Sequence, residues 1–162
     1  MIFGGSDPSN LTSKTLDAIS EYNFEITIVL GPHFVYFDEL KEALRKCKDA
    51  RVLRDISNVA ELMYESDLVI TSLGLTTFEA FCTGTPTIVI CQNELQRNLH
   101  QHLSNILRYS LHEFKHPKLI EFLDRLSRRN TRKEISEYEK KVCDGKGLER
   151  FKEFVMGLMV SK

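Results

Sequence analysis

The chain has 162 residues, of which 42% are hydrophobic and 28% charged, a balance typical of a folded globular protein. This length predicts one domain, residues 1–162, that is large enough to bury a core. The formal net charge of −1 argues against binding nucleic acid through overall charge, and no apolar run approaches the roughly 18–20 residues of a membrane span.

The N-terminus does not match a secretory signal peptide, because no basic segment precedes its apolar residues and Asp7 interrupts them early. The four cysteines contain no C-x-x-C pair and have no histidine at a zinc-binding spacing. We therefore expect a cytoplasmic protein with reduced thiols and no metal site. The cysteines are Cys47, Cys82, Cys91 and Cys143.

Apolar segments typical of strands alternate along the chain with amphipathic segments typical of helices. In chain order we predict a strand at 1–3, a helix at 11–20, a strand at 25–30, a helix at 37–47, a strand at 50–53, a helix at 58–66, a strand at 67–71, a helix at 77–82, a strand at 87–91, a helix at 96–109, a short strand at 111–114, and helices at 117–129, 131–142 and 148–160.

This alternation predicts right-handed crossovers and a Rossmann-like parallel sheet of five to six strands flanked by helices, with extra C-terminal helices. Asn10 and Asn58 are the predicted N-caps of the first and third helices. The highly charged segment at 131–142, which includes Glu137, Glu139 and Lys141, predicts a solvated helix.

Two glycine-containing turns each follow a predicted strand and open a predicted helix. They are Gly-Gly-Ser-Asp-Pro-Ser-Asn at 4–10 and Thr-Ser-Leu-Gly-Leu-Thr-Thr at 71–77. A helix N-terminus offers free N–H groups and a partial positive charge, which suit a phosphate. In a doubly wound sheet the first and fourth strands are neighbours, so both turns are expected at one edge. Together they favour a diphosphate, as in a nucleotide or nucleotide sugar.

Each of these signals also has a purely structural interpretation. The Gly4–Gly5 pair suits a tight turn, Thr76 and Thr77 suit helix caps, and Glu79 is favourable in a first helical turn without any ligand. His33 follows the second strand at the same edge and is either a general base or an ordinary loop histidine.

Three segments resemble known families. Residues 3–12 (FGGSDPSNLT) resemble the opening of the C-terminal domain in UDP-sugar hydrolases of the pseudaminic acid pathway and in related spore-coat polysaccharide proteins. Residues 67–96 resemble the donor-binding signature of GT-B enzymes, such as the N-acetylglucosaminyltransferase of peptidoglycan synthesis, and residues 144–150 (DGKGLER) resemble the hydrolases' C-terminal segment. The resemblance covers nearly the whole chain and implies the C-terminal half of a GT-B fold.

The resemblance also implies a site for a UDP-sugar, which is a substrate, with no cofactor and no metal. Within it, Glu79 is implied to accept the ribose hydroxyls and the backbone around Ile56 to hold the uracil. The main catalytic base is implied to lie in the absent N-terminal half, which leaves His33 as the candidate in this chain. The implied nucleotide and phosphate contacts are Gly4, Gly5, Ser6, Ile56, Ser72, Gly74, Thr76, Thr77 and Glu79, and the implied sugar contacts are Asn10, Leu11, Thr12 and Gln96.

The function expected from these features is the UDP-sugar-binding part of an enzyme that displaces UDP, of the pseudaminic-pathway hydrolase type. One alternative is the donor-binding half or subunit of a GT-B glycosyltransferase. A second, favoured by Leu73 and Leu75 in the phosphate turn, is a non-catalytic nucleotide-binding or assembly module. Only three residues precede Gly4, fewer than a central strand needs, so we expect part of a longer enzyme whose N-terminal GT-B half is a domain or subunit. The isolated chain is expected to be inactive.

Overall fold

The computed structural model describes residues 1–160, within which parallel strands are flanked by helices. The strands are β1 (Ile26–Leu30), β2 (Ala50–Arg54), β3 (Val69–Ser72), β4 (Thr87–Ile90) and β5 (Ser110–Leu111). They form a two-stranded sheet, β1–β2, and a three-stranded sheet, β3–β4–β5, with every pair parallel. The predicted α/β class and parallel strand direction are therefore confirmed.

The prediction of one sheet with five to six strands is wrong. The segment predicted as the first strand forms only isolated parallel bridges, from Ile2 to Val29 on one side and to Thr71 on the other. The Ile2 N–H donates to the Ile70 carbonyl at 3.0 Å. Gly4, with φ of 78°, turns the chain away directly after Phe3, which leaves too short a segment for a ladder. Ile2 thus lies between β1 and β3 and joins the two sheets.

The predicted helices all form, with shifted ends. The largest shift is in α5, which was predicted to reach residue 109 but ends at Leu103, because Leu107 and Tyr109 are buried in the connection that leads to β5. The helices are α1 (Leu11–Ile19), α2 (Phe37–Lys46), α3 (Val59–Tyr64), α4 (Leu75–Thr83), α5 (Glu94–Leu103), α6 (His116–Leu126), α7 (Arg129–Val142) and α8 (Gly147–Val160).

Side-chain caps and buried strands account for much of this arrangement. Asn10 accepts a hydrogen bond from the Ser13 N–H and Asn58 accepts one from the Glu61 N–H, which confirms both predicted caps. All residues of β3 and β4 are buried, as expected for parallel strands covered on both faces. The main core contains Phe3, Leu16, Ile28, Ile88, Leu119 and Phe122, among others.

One residue of α7 departs from the prediction of a solvated helix. Glu139 is only 1% exposed, because α7 packs against α4 and the start of β4. Its Oε1 accepts a hydrogen bond from the Thr87 N–H at 3.2 Å, and Oε2 has no hydrogen-bond partner within residues 1–160. Burial raises the pKa of this carboxyl to about 8.

Among the described residues, no helix combines the length and the apolar character that crossing a membrane requires.

Candidate functional site

The first glycine turn lies against the end of β1. The His33 N–H donates to the Gly5 carbonyl at 2.8 Å. A Cβ at Gly31 would lie 2.3 Å from the Gly4 carbonyl oxygen and 2.5 Å from the Gly5 Cα, so only glycine permits this approach. On the other side the turn is open, since a Cβ at Gly4 or Gly5 would meet nothing within 4 Å. Ser6 is also exposed.

The N-terminus of α1 is closed by its own side chains. Asp7 is 2% exposed, and its two carboxylate oxygens accept hydrogen bonds from the N–H groups of Leu11 and Thr12, both at 2.8 Å. Desolvation raises the pKa of Asp7, although these hydrogen bonds oppose the shift. The expectation that α1 offers free N–H groups to a phosphate is therefore wrong. The backbone N–H groups and buried side chains of Leu11 and Thr12 are already used within the fold, and Asn10 is occupied as the cap.

The second glycine turn, at the start of α4, is only partly closed. Thr77 is fully buried, and its hydroxyl donates to the Ser72 carbonyl at 3.1 Å and accepts from the Gly74 N–H at 3.4 Å. The N–H groups of Leu75 and Thr76 have no acceptor anywhere in residues 1–160. A Cβ at Gly74 would meet nothing within 4 Å. The turn thus leaves two donors beside open space, while the Thr77 side chain serves as a structural cap.

The two leucines of this turn differ in their exposure to solvent. Leu73 is 2% exposed and packs in a hydrophobic cluster with Phe81 and Val89, whereas Leu75 is 83% exposed. Leu73 therefore points into the protein and does not obstruct the turn.

Gln92, which the sequence reasoning missed, connects the two turns. It follows β4, and its Nε2 donates both to the Phe3 carbonyl at 3.3 Å and to the Ser72 hydroxyl at 3.1 Å. Its own carbonyl accepts a hydrogen bond from the Ser9 hydroxyl. Its Oε1 is buried and has no hydrogen-bond partner among the described residues. The available signal was its position, directly after a predicted strand at the same sheet edge.

Two other predicted contacts, Gln96 and Glu79, differ in burial. Gln96 is half-buried, and its Oε1 accepts from the Gln92 N–H at 2.9 Å, so its side chain supports the start of α5. Glu79 is exposed on α4.

Ile56 lies in the loop between β2 and α3. It lines a cavity of about 350 Å³ together with Asp55, Ser57, Asn58 and Glu61. A larger cavity of about 410 Å³, lined by Arg108, Arg125 and Arg128, contains none of the predicted site residues. The structure therefore brings the two glycine turns together, with Ile56 following a strand that runs parallel to β1.

The chain is similar to parts of two longer proteins. It is 45% identical over 119 residues to the uncharacterized protein MJ1062 of Methanocaldococcus jannaschii, a match that covers 70% of this chain and 25% of that protein. It is 28% identical over 97 residues to the spore coat polysaccharide biosynthesis protein SpsG of Bacillus subtilis, covering 57% of this chain and 29% of that protein.

No family model matches the chain. The matched segments span between a quarter and a third of the two curated relatives. The comparisons thus relate this chain to a piece of longer proteins, one of which is named for polysaccharide biosynthesis.

Proposed function

We propose that the chain is the UDP-sugar-binding domain of an enzyme that displaces UDP from a nucleotide-activated sugar. The observation that carries this proposal is the junction of the two glycine turns, which Gln92 joins through Phe3 and Ser72. Ile2 lies between β1 and β3, so the turns follow neighbouring segments, as at the ligand-binding switch point of a Rossmann-like sheet. The similarity to SpsG supports a role in sugar chemistry.

The diphosphate is proposed to bind beside Gly74. The unpaired N–H groups of Leu75 and Thr76 stand at the positive end of α4, and the bare Cα atoms of Gly4, Gly5 and Gly74 leave room for phosphate oxygens. The same donors stabilise the negative charge that grows on the β-phosphate as the bond to the sugar breaks. Glu79, exposed on the same helix, is proposed to accept the ribose hydroxyls.

The acceptor decides the reaction class. With water as acceptor the enzyme is a hydrolase of the pseudaminic-pathway type, which the FGGSDPSNLT opening favours. With a sugar or lipid hydroxyl it is a GT-B glycosyltransferase. In both cases an N-terminal GT-B half, as a domain or a separate subunit, supplies the main base.

A non-catalytic assembly module is the second candidate function, and α8 is the observation that favours it. Leu148, Phe151 and Phe154 of this helix are each more than 60% exposed, which suits contact with a partner.

The decisive experiment is calorimetric titration of the chain with UDP. Separate titrations with CDP and ADP are the controls for base selectivity. We expect UDP to bind most tightly and Glu79→Ala to weaken it about tenfold or more, because a hydrogen bond to a charged group contributes about 1.5–3 kcal/mol. Glu25→Ala is the matched control, since Glu25 is also exposed but precedes β1 at the opposite end of the strand.

Equal binding of all three nucleotides, or equal loss in both glutamate variants, would refute the UDP assignment. No binding by the folded chain alone or with its N-terminal half would favour the assembly module. We expect the chain alone to release no UDP from a UDP-sugar. UDP release that disappears in His33→Ala would instead place the base in this chain.

A further inference from the structure

Two cysteines that are distant in the sequence have adjacent thiols. Cys82 lies near the C-terminal end of α4 and Cys143 is the C-cap residue of α7. They are separated by 61 positions, yet their sulfur atoms are 3.1 Å apart. Cys82 is exposed and Cys143 is half-buried, so a small dissolved reagent can reach the pair.

The remaining two cysteines provide internal controls. The Cys47 thiol donates to the Ala43 carbonyl at 3.4 Å, and the buried Cys91 thiol donates to the Gln96 carbonyl at 3.6 Å. In the part of the chain that the structure describes, neither has another thiol as a hydrogen-bonding neighbour.

The surroundings permit the short movement that a bond requires. A disulfide bond is about 2.05 Å long, so the two sulfurs need to approach by about 1 Å. Both residues lie at helix ends, where side chains and backbone adjust with the least loss of helical hydrogen bonds. Gly145, with φ of 74°, turns the chain just after Cys143, and a Cβ there would still lie 3.9 Å from the Cys82 sulfur.

We propose that Cys82 and Cys143 are a modification site that forms a reversible intramolecular disulfide by exchange with a low-molecular-weight disulfide such as oxidised glutathione. The thiolate of one cysteine attacks a glutathione sulfur and releases one reduced glutathione. The second thiolate attacks the mixed disulfide and releases another. The protons of the two cysteines end on the two glutathione thiols, and two electrons pass from the protein to the oxidant.

The rate of disulfide exchange at Cys82 is expected to depend on pH. Burial, together with the neighbouring Cys143 thiol, raises the pKa of Cys82 to about 11. Because the thiolate is the attacking form, exchange at this residue is slow near neutrality and accelerates toward alkaline pH.

The disulfide ties α4 to the junction between α7 and α8. The other end of α4 carries the open turn at Gly74, so the bond restrains the same helix that presents Leu75 and Thr76. It also closes a long loop in the unfolded chain, which raises the melting temperature.

The test exposes the folded full chain to a series of reduced-to-oxidised glutathione ratios, followed by thiol titration and peptide mass spectrometry. We expect the number of free thiols to fall from four to two, with a mass loss of two hydrogen atoms and a single Cys82–Cys143 cross-linked peptide. The melting temperature should rise by about 5 °C or more and return after reduction.

Single serine variants distinguish a specific Cys82–Cys143 bond from nonspecific oxidation of the four thiols. Cys82→Ser and Cys143→Ser should each lose the internal bond and gain one glutathionyl group at the remaining cysteine, while Cys47→Ser forms the internal bond like the wild-type chain. Four free thiols at every ratio would overturn the proposal. So would a bond that involves Cys47 or Cys91, or glutathionylation of the wild-type pair without closure.

Discussion

Gly31 and Gly74 both lie at strand ends, but what surrounds their Cα atoms differs. A Cβ at Gly31 would overlap the backbone of the Gly4–Gly5 turn, whereas a Cβ at Gly74 would project into open space. Gly31 is therefore required by the fold itself. The fold places no such demand on Gly74, where a side chain would meet no other atom.

Alanine at Gly31 should mainly reduce the stability of the fold, whereas alanine at Gly74 should mainly reduce the affinity for UDP. We expect Gly31→Ala to lower the free energy of unfolding by about 3 kcal/mol, because backbone atoms must move to admit the methyl group. Gly74→Ala should change it by no more than about 1 kcal/mol, the cost of a poorer helix cap, and weaken UDP binding about tenfold or more. Urea unfolding and calorimetric titration measure the two quantities.

Gly147→Ala serves as a further control, since a Cβ there also faces open space and Gly147 starts α8, outside the proposed phosphate site. It should change the free energy of unfolding by as little as Gly74→Ala does, and it should bind UDP as tightly as the wild-type chain. Strong destabilisation by Gly74→Ala, or normal UDP affinity in that variant, would contradict the proposed position of the diphosphate.

At the scale of elements, α4 and α8 differ sharply in burial. Phe81 of α4 is 1% exposed and belongs to a core cluster with Leu73 and Val89. Phe151 of α8 is 63% exposed. The two helices therefore contribute very differently to stability in the isolated chain.

Truncating one phenylalanine in each helix should reveal this contrast. Phe81→Ala is expected to cost about 3–5 kcal/mol, because it opens a cavity in a packed core. Phe151→Ala should stay within about 0.5 kcal/mol, since little of its ring is removed from water. Equal losses by urea unfolding would mean that α8 is packed against other parts of the chain in solution.

At the scale of the whole molecule, Glu139 makes stability depend on pH. Its pKa rises from 4.5 in the unfolded chain to about 8 in the fold, so the folded protein keeps a proton that the unfolded chain releases. The resulting stabilisation is complete below about pH 4.5 and is lost as the pH rises through about 8. The buried Met1 amino group, whose pKa is lowered to about 5, acts in the opposite direction. The contribution of Glu139 is therefore measured as the difference in unfolding free energy between wild type and a Glu139 variant at each pH.

Glu139→Gln should remove this dependence while keeping an acceptor for the Thr87 N–H. Relative to wild type, its free energy of unfolding should increase by up to roughly 1.4 kcal/mol per pH unit between about pH 5 and pH 8. Urea unfolding at several pH values measures the difference. Glu137→Gln is the control, because Glu137 is exposed and pairs only loosely with Lys133, at 4.0 Å. Parallel pH curves for wild type and Glu139→Gln would show that Glu139 is ionised in the fold.

Local patterns by themselves determined the α/β class, the order of helices and strands, and the caps at Asn10 and Asn58. These features depend on hydrophobic periodicity and on hydrogen bonds between residues three or four apart, which a short window of sequence contains. The predicted convergence of the two glycine turns also followed from local signals, combined with the rule that parallel strands end at one edge.

Only the tertiary structure decided which hydrogen-bonding groups at that edge of the sheet remain free to contact a ligand. Asp7 occupies the donors of α1, Thr77 is used as a cap, and Gln92 joins segments that are 20 and 89 positions away. The same holds for the Cys82–Cys143 pair, the burial of Glu139 and the position of Ile2 between the two sheets. Each depends on contacts between distant segments, whose distances and competition for hydrogen bonds no local pattern encodes.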